Sequence, residues 1–351
     1  MKIGIAFDLA PAPSPSLADG PDDRFEEFDK PETVAAIAAA IRAEGHDVAL
    51  LGDGRDFLAR VLADPPDFVF NIAEGEGVGR CREARVPAAL EMLGIPYSGS
   101  DPLTLALCLD KGLARTLAAG SAWPVAVPSG AALDPGFAHP DLVHDFVREA
   151  CRKIGGRATP DRPLLLKPSF EGSSKGVRSR CLVESEGETI AVFRELAQTY
   201  RQPILFEEFI AGDEVTVGIV GNDVVGKEGF FSGAMRIVPK ENTGRFVYSL
   251  EVKRDWANQV SYETPPRLPA ETLKRIVEAA GAVRLAFDIK DFARIDFRVR
   301  DGVPYFIEAN PLPGLAPGVS DLVILAEGYG IGHAELIRMI LRAALDRVGL
   351  R

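Results

Sequence analysis

Arg294, Asp296, Glu308 and Asn310 are the residues whose types and spacing most directly suggest chemistry. They lie in Phe292-Ala-Arg-Ile-Asp-Phe297 and in Ile307-Glu-Ala-Asn-Pro-Leu-Pro-Gly314, within two β-like runs, Phe292–Arg300 and Val303–Glu308. Asp301-Gly302 separates the runs, and Asp-Gly between alternating apolar residues is a strong hairpin signal. Period-2 alternation sets Arg294 and Asp296 on one face, and Glu308 and Asn310 on one face if the extended conformation continues that far. Asp296, Glu308 and Asn310 would then meet across the hairpin with a guanidinium beside them. Two carboxylates and an amide carbonyl are hard oxygen ligands, the set that holds Mg²⁺ together with phosphates. The plainer reading is a salt-bridged surface hairpin, whose ion pairs are individually weak.

Other segments carry chemistry of a compatible kind. Pro163-Leu-Leu-Leu-Lys-Pro168 is an apolar strand that runs into Ser169-Phe-Glu-Gly-Ser-Ser-Lys-Gly-Val177. Glycine and serine let backbone N–H groups approach phosphate oxygens, and Lys167 and Lys175 add positive charge. The Walker pattern is absent, and such a turn also occurs with no ligand at all. Lys111 follows Asp110 on a helix read over Pro102–Ala118, where a lone lysine is ordinarily a solvated charge. Glu207 and Glu214 flank a turn at Ala211-Gly-Asp213. Ala73-Glu-Gly-Glu-Gly-Val-Gly79 follows a strand at its carboxyl end, where ligands bind in parallel sheets, so Glu74 or Glu76 would face a substrate amine there or be solvated.

The elements that must position these groups read as α/β. Strands at Lys2–Phe7, Asp47–Leu51 and Phe68–Ile72 alternate with helices at Thr33–Glu44, Phe57–Ala63 and Arg85–Leu93, which implies a small parallel sheet covered by helices. No Gly-x-Gly-x-x-Gly follows the first strand, so a dinucleotide site is not expected. Loops are expected over Pro11–Asp23, Asp134–Pro140 and Gly155–Arg162, with a helix between the last two. Glu188–Gln198 reads as a helix, and the strands Pro203–Phe209 and Glu214–Val220 read as antiparallel. The polar stretch from Phe246 to about Pro269 reads as a long loop of the kind that forms lids. Helices at Leu268–Leu285 and Ile331–Val348 flank the hairpin.

At 351 residues, 46% hydrophobic and 26% charged, the chain suits a globular protein of two or three domains. A net charge of −11 argues against nucleic-acid or anionic-membrane partners, though not against nucleotides, whose sites are local. No signal peptide and no apolar run of membrane-spanning length is evident, and four scattered cysteines fit reduced cytoplasmic thiols.

In order, Glu91-Met-Leu-Gly-Ile-Pro-Tyr-Ser-Gly-Ser100, Asp110-Lys111, Leu166-Lys-Pro-Ser-Phe-Glu-Gly-Ser-Ser174, Phe206-Glu-Glu-Phe-Ile-Ala-Gly-Asp-Glu214, Tyr248-Ser-Leu-Glu-Val-Lys253 and the two hairpin segments resemble the ATP-grasp superfamily, in particular the D-alanine–D-alanine ligases. The resemblance implies an N-terminal α/β domain over residues 1–100, then two α+β subdomains over 101–205 and 206–351 that clasp ATP between them. It also implies a cytoplasmic ligase of peptidoglycan synthesis, with amino acids as small-molecule substrates, and a homodimer. By position, Lys111, Lys167 and Lys253 would contact phosphates, with Ser173 and Ser174 closing over them. Glu207 would meet the adenine amino group and Glu214 the ribose. Asp296, Glu308 and Asn310 would hold two Mg²⁺, for which Mn²⁺ can substitute. Arg294 and the Gly314 backbone would stabilise the oxyanion, and Ser320 would meet a substrate carboxylate, although the loop before it is one residue longer than the family's.

Four departures fall on the amino-acid side. The family's Gly-Gly-x-Ser-x-Glu after the first strand, whose glutamate orients the first D-alanine amine, is replaced by Asp8-Leu-Ala-Pro-Ala-Pro. Its His-Gly is Glu74-Gly75, its Glu-Asp-Gly falls at about Arg82-Glu-Ala84, and its lid tyrosine is Arg254. The expected activity is therefore ATP-dependent carboxylate–amine ligation, with D-Ala-D-Ala as the product. The alternatives are a ligase of other amino acids or of a peptide acceptor, and a nucleotide-binding protein without chemistry.

Overall fold

A computed structural model describes residues 1–11, 20–137, 143–223, 230–241 and 244–350, so parts of the expected loops, 12–19 and 138–140, lie outside the described residues. The N-terminal layer has the expected βαβαβ order: β1 (Lys2–Ala6), α1 (Pro31–Ala43), β2 (Asp47–Gly52), α2 (Gly54–Ala63) and β3 (Phe68–Asn71), followed by α3 (Arg85–Leu93). Its strands are parallel in the order β2-β1-β3. Ile3, Ile5, Phe68 and Phe70 are fully buried, as the middle of a sheet covered on both faces requires. Val34, Ile37 and Ile41, one face of α1 at helical spacing, join that core.

The expected helix over Pro102–Ala118 is two helices, α4 (Pro102–Leu109) and α5 (Lys111–Gly120). Asp110 leaves helical geometry at φ −81° and ψ 93°, and its carboxylate accepts a hydrogen bond from Leu113 N. Aspartate competes for backbone donors in this way, so it ends one helix and caps the next. Lys111 is thereby the first residue of a helix rather than a side chain in mid-helix.

A second sheet follows: β4 (Gly130–Leu133), β5 (Leu164–Pro168), β6 (Leu182–Val183) and β7 (Ile204–Glu208), ordered β4-β7-β5-β6 and antiparallel. Helices α6 (Val143–Lys153) and α7 (Glu186–Tyr200) cover it through Val147, Cys151, Phe193 and Leu196. The third sheet contains β8 (Asp213–Val220), β9 (Phe231–Pro239), β10 (Val260–Glu263), β11 (Phe292–Arg300) and β12 (Val303–Asn310), in the order β10-β9-β8-β11-β12. The strands flanking Ala211-Gly-Asp213 are antiparallel as expected, but not to each other, since β7 and β8 belong to different sheets. The crossing needs Gly212 at φ +137°, where a Cβ would come within 2.0 Å of Val299 O.

The expected long loop after Phe246 contains α8 (Leu250–Arg254), α9 (Trp256–Gln259) and the edge strand β10. Such short helices carry no readable periodicity, and α8 starts at a Ser249 cap. Helix α10 (Ala270–Phe287) packs Ile276, Val283 and Phe287 onto the third sheet. Helices α11 (Asp321–Gly328) and α12 (His333–Val348) close the chain, and α12 places Leu336, Ile337 and Ile340 in the same core as Ile3 and Ile37. Among the described residues no helix is long and apolar enough to cross a membrane.

Candidate active site

The β11–β12 hairpin turns at Asp301-Gly302, both with positive φ (53° and 74°), as a type I′ turn requires. Its register sets Arg294 opposite Asn310 and Asp296 opposite Glu308, with a single irregularity just beyond, between Asp296 and Phe297. All four residues therefore meet, as the alternation predicted. Arg294 NH1 donates to Asp321 Oδ2 at 2.7 Å and NH2 to Asp296 Oδ2 at 2.9 Å. Its Nε–H is buried with no partner among the described residues. Thr216, on the neighbouring β8, donates to Asp296 Oδ1 at 2.5 Å. Burial, with Glu308 nearby, pushes the Asp296 carboxyl up to about 6 against the pull of Arg294 and Thr216. Burial also raises Glu308, but Lys111, Arg294, Lys167 and Lys253 together hold it well below the usual carboxylate range.

The donor set fits a hard divalent cation. Asn310 Nδ2 lies 3.3 Å from Asp296 Oδ2 and 3.5 Å from Glu308 Oε1. With that amide turned over, its oxygen joins the two carboxylates in a hard oxygen set of the kind that suits a divalent cation. Among the described residues no group of three His, Cys, Asp or Glu side chains is arranged for a metal, so an acids-only set is not what this site offers.

Beside the hairpin, between the second and third sheets, is a cleft of about 740 Å³ open to solvent, lined by Lys111, Lys167, Ser174, Glu207, Glu214 and Lys253 among others. Lys167 Nζ lies 2.7 Å from Glu207 Oε2, and Arg298 NH1 donates to Glu214 Oε2 at 2.8 Å. Ser173 and Ser174 are left-handed (φ 47° and 60°), and Ser174 Oγ donates to the Tyr248 carbonyl at 3.0 Å. The Lys253 ammonium sits 5.1 Å from the centre of the Tyr248 ring.

A second cavity adjoins this cleft, lined by Glu27, Glu74, Glu83, Ser173, Arg294, Asn310 and Gly314. Lys111 and Glu308, 3.2 Å apart, line both spaces. Of the two glutamates left open by sequence, Glu74 lines the cavity, while Glu76 is exposed and pairs with Arg24 at 2.7 Å. Burial raises Glu74 well above the usual range, and Glu83 and Glu27 add to the effect. Ser320 is not on the cavity wall: its Oγ accepts from Ala316 N at 2.9 Å, close enough to Gly314 that a Cβ there would come within 2.8 Å of it.

Sequence reasoning missed the acid–base cluster behind the cavity. Glu27 accepts from Arg82 NH2 at 2.9 Å on both oxygens, from Lys175 Nζ at 2.8 Å and from Gly172 N at 2.6 Å. Burial opposes its ionisation, but Arg82 and Lys175 hold it down to about 2. Asp8, standing where the family's glycine-rich segment would begin, accepts from Gly75 N at 2.8 Å. Burial and the neighbouring Asp53 push it up to about 7. Arg254 pairs with Asp22 at 2.9 Å and with Glu26 at 2.8 Å, joining α8 to the same N-terminal segment. Glu27 lies in an acidic stretch without periodicity, so its only available signal was the missing glutamate of the resembling family.

A family model described as the D-ala D-ala ligase C-terminus matches residues 145–342. The D-alanine–D-alanine ligase of Geotalea uraniireducens (strain Rf4) is 30% identical over 315 residues, covering 90% of each chain. That of Gloeobacter violaceus is 29% identical, covering 89% of this chain and 93% of its own. Among solved structures, the D-alanine–D-alanine ligase from Bacillus anthracis complexed with ATP is similar in fold, with a TM-score of 0.69 at 22% identity, covering 99% of this chain and 98% of that one. The VanG D-Ala:D-Ser ligase from Enterococcus faecalis has a TM-score of 0.68 at 21% identity, covering 98% of this chain and 99% of that one.

Proposed function

We infer the function from one premise: the chain belongs to the D-alanine–D-alanine ligase family. It is an ATP-dependent ligase that forms a peptide bond, joining two D-alanines with release of ADP and phosphate, a step of peptidoglycan synthesis. The observation that carries the site assignment is the wall shared by the cleft and the cavity. Lys111 and Glu308 line both, with Asp296, Asn310 and Arg294 beside them. A phosphoryl group passing from a nucleotide in one space to a carboxylate in the other must cross there.

The overall reaction has two steps. The carboxylate of one D-alanine takes the γ-phosphoryl group of ATP as the bond to ADP breaks. The amine of the second then attacks the acyl carbon, loses its proton and displaces phosphate. Lys111, Lys167 and Lys253 bind phosphate oxygens, and the Ser173-Ser174 turn supplies backbone donors from above. Glu207 faces the adenine amino group and Glu214 the ribose. Asp296, Glu308 and Asn310 would hold two Mg²⁺ or Mn²⁺, which would supply charge neutralisation for the phosphates. Arg294, which lines the substrate cavity, and the Gly314 N–H donate to the oxygen on which charge develops. Glu74 orients the amine of the first substrate, and Ser320, set just behind the lining residue Gly314 with its Oγ already accepting from Ala316 N, would have to donate its hydroxyl proton past Gly314 to receive a substrate carboxylate. Segment 246–254 covers the cleft and keeps water from the activated acyl group.

The working units are taken as residues 1–100, 101–205 and 206–351, and the compartment as the cytoplasm. A homodimer is supported by Leu58, Leu62 and Met92, apolar and exposed on α2 and α3. The decisive experiment follows ADP release with ATP, Mg²⁺ and D-alanine beside a panel of L- and D-amino acids and short peptides. D-alanine should be turned over. No turnover at tens of millimolar D-alanine, with a signal elsewhere in the panel, transfers the assignment to another carboxylate–amine pair, a reading that the buried acids Glu74 and Glu83 in the substrate cavity favour.

A further inference from the structure

Arg294 is held from two sides, and only one of its anchors belongs to the expected metal site. Asp296 takes NH2, but its carboxylate is also a metal ligand in the reading above. The other anchor is Asp321, whose Oδ2 takes NH1 at 2.7 Å and whose side chain is 10% exposed. Asp321 opens α11, whose next residues Leu322 and Val323 are fully buried, so this carboxylate stands on a rigid base. Its other oxygen accepts from Tyr248 OH at 3.2 Å, and Tyr248 OH is 2.9 Å from Tyr262 OH. The Tyr248 residue also reaches two other functional groups, since its carbonyl accepts from Ser174 Oγ and its ring lies under the Lys253 ammonium.

We propose that Asp321 is a positioning residue for Arg294, and that Tyr248 makes its hold depend on the covering segment around Lys253. The proposal rests on Arg294 acting as the oxyanion donor. A guanidinium held at NH1 by Asp321 and at NH2 by Asp296 has one plane and one direction left for its remaining N–H groups at the cavity that Arg294 lines. Asp321 thus fixes the direction of the donor, while Tyr248 couples that direction to the phosphate turn and to Lys253. A competing explanation is purely structural, because an acid in the first turn of a helix stabilises it through the helix dipole.

The test compares steady-state kinetics and Tm of Asp321→Asn, Tyr248→Phe, the double variant and Arg294→Lys. Asp321→Asn should lower kcat by about 10- to 100-fold, the scale of a misplaced catalytic group, with KM for ATP within about threefold. Tyr248→Phe should cost about tenfold, and the double variant should be no worse than Asp321→Asn alone, because both act through one hydrogen-bonded chain. A structural role predicts a lowered Tm with kcat within twofold of the parent, or losses that multiply, and either result overturns the proposal. If Asp321→Asn destabilises the protein, Tyr248→Phe, which leaves α11 unchanged, decides alone: normal kcat overturns the proposal and a tenfold loss supports it. If Arg294→Lys also turns over normally, the oxyanion assignment beneath the proposal has failed.

Discussion

Asp296 and Glu308 face each other at one register position, yet their acidities move in opposite directions, up to about 6 for Asp296 and well down for Glu308. Burial acts on both, and the lysines Lys111, Lys167 and Lys253 decide the case of Glu308. Asp296→Ala or Glu308→Ala should therefore lower kcat by at least ~10²-fold, as loss of an electrostatic partner of the transition state does, while circular dichroism stays that of the parent. A near-normal kcat in either variant removes the metal assignment. Asp8 and Asp29 give a separate prediction about stability. Both are raised to about 7, by burial in each case and by Asp53 for Asp8. The folded chain then binds their protons more tightly than the unfolded chain, so the cost of ionising them appears as pH rises from about 4 to about 7. Glu27, held down to about 2, acts oppositely, and its contribution is lost only as pH falls below its unfolded value of 4.5. Without ligands, Tm should rise by a few degrees from pH 8 to pH 5 at constant ionic strength, and Asp8→Asn should flatten that slope.

At the scale of elements, Asp110 shows where local chemistry overrides periodicity. Its cap splits one expected helix and makes Lys111 the first residue of α5. Asp110→Ala should cost about 1 kcal/mol, the usual loss for a cap, read as a lower denaturant midpoint. It should also reduce kcat, because Lys111 loses its fixed starting position. A variant as stable as the parent with reduced kcat would place Asp110 in substrate binding instead. The hairpin was legible, though its second strand runs two residues past the expected Glu308 to Asn310, since Asp-Gly turns and period-2 alternation are local rules; so were the Gly/Ser turn and the N-terminal βαβαβ order. The partners of β7 and β8 were not, because antiparallel alternation says nothing about which sheet a strand joins. Short α8, α9 and β10 escaped for want of length. The Glu27–Arg82–Lys175 cluster escaped because its members lie up to 148 residues apart, and no spacing rule connects them.

For the whole molecule, the cleft lies between two sheets that share no strand, so a ligand there bridges separately built layers. A non-hydrolysable ATP analogue with Mg²⁺ at about a hundred times its Kd should stabilise the folded state by about 2.7 kcal/mol and raise Tm by about 5 °C. No shift in Tm with the analogue would remove the nucleotide from that cleft. The packing of α12 against α1 has a consequence for biosynthesis. The ribosome makes α1 long before α12, and the two share one apolar core. Until residues 333–348 leave the exit tunnel, the nascent chain carries an N-terminal layer with part of its apolar face uncovered. Completion of the core around α1 thus waits on the synthesis of α12, and a chain stalled before α12 is exposed to chaperones and proteases at α1.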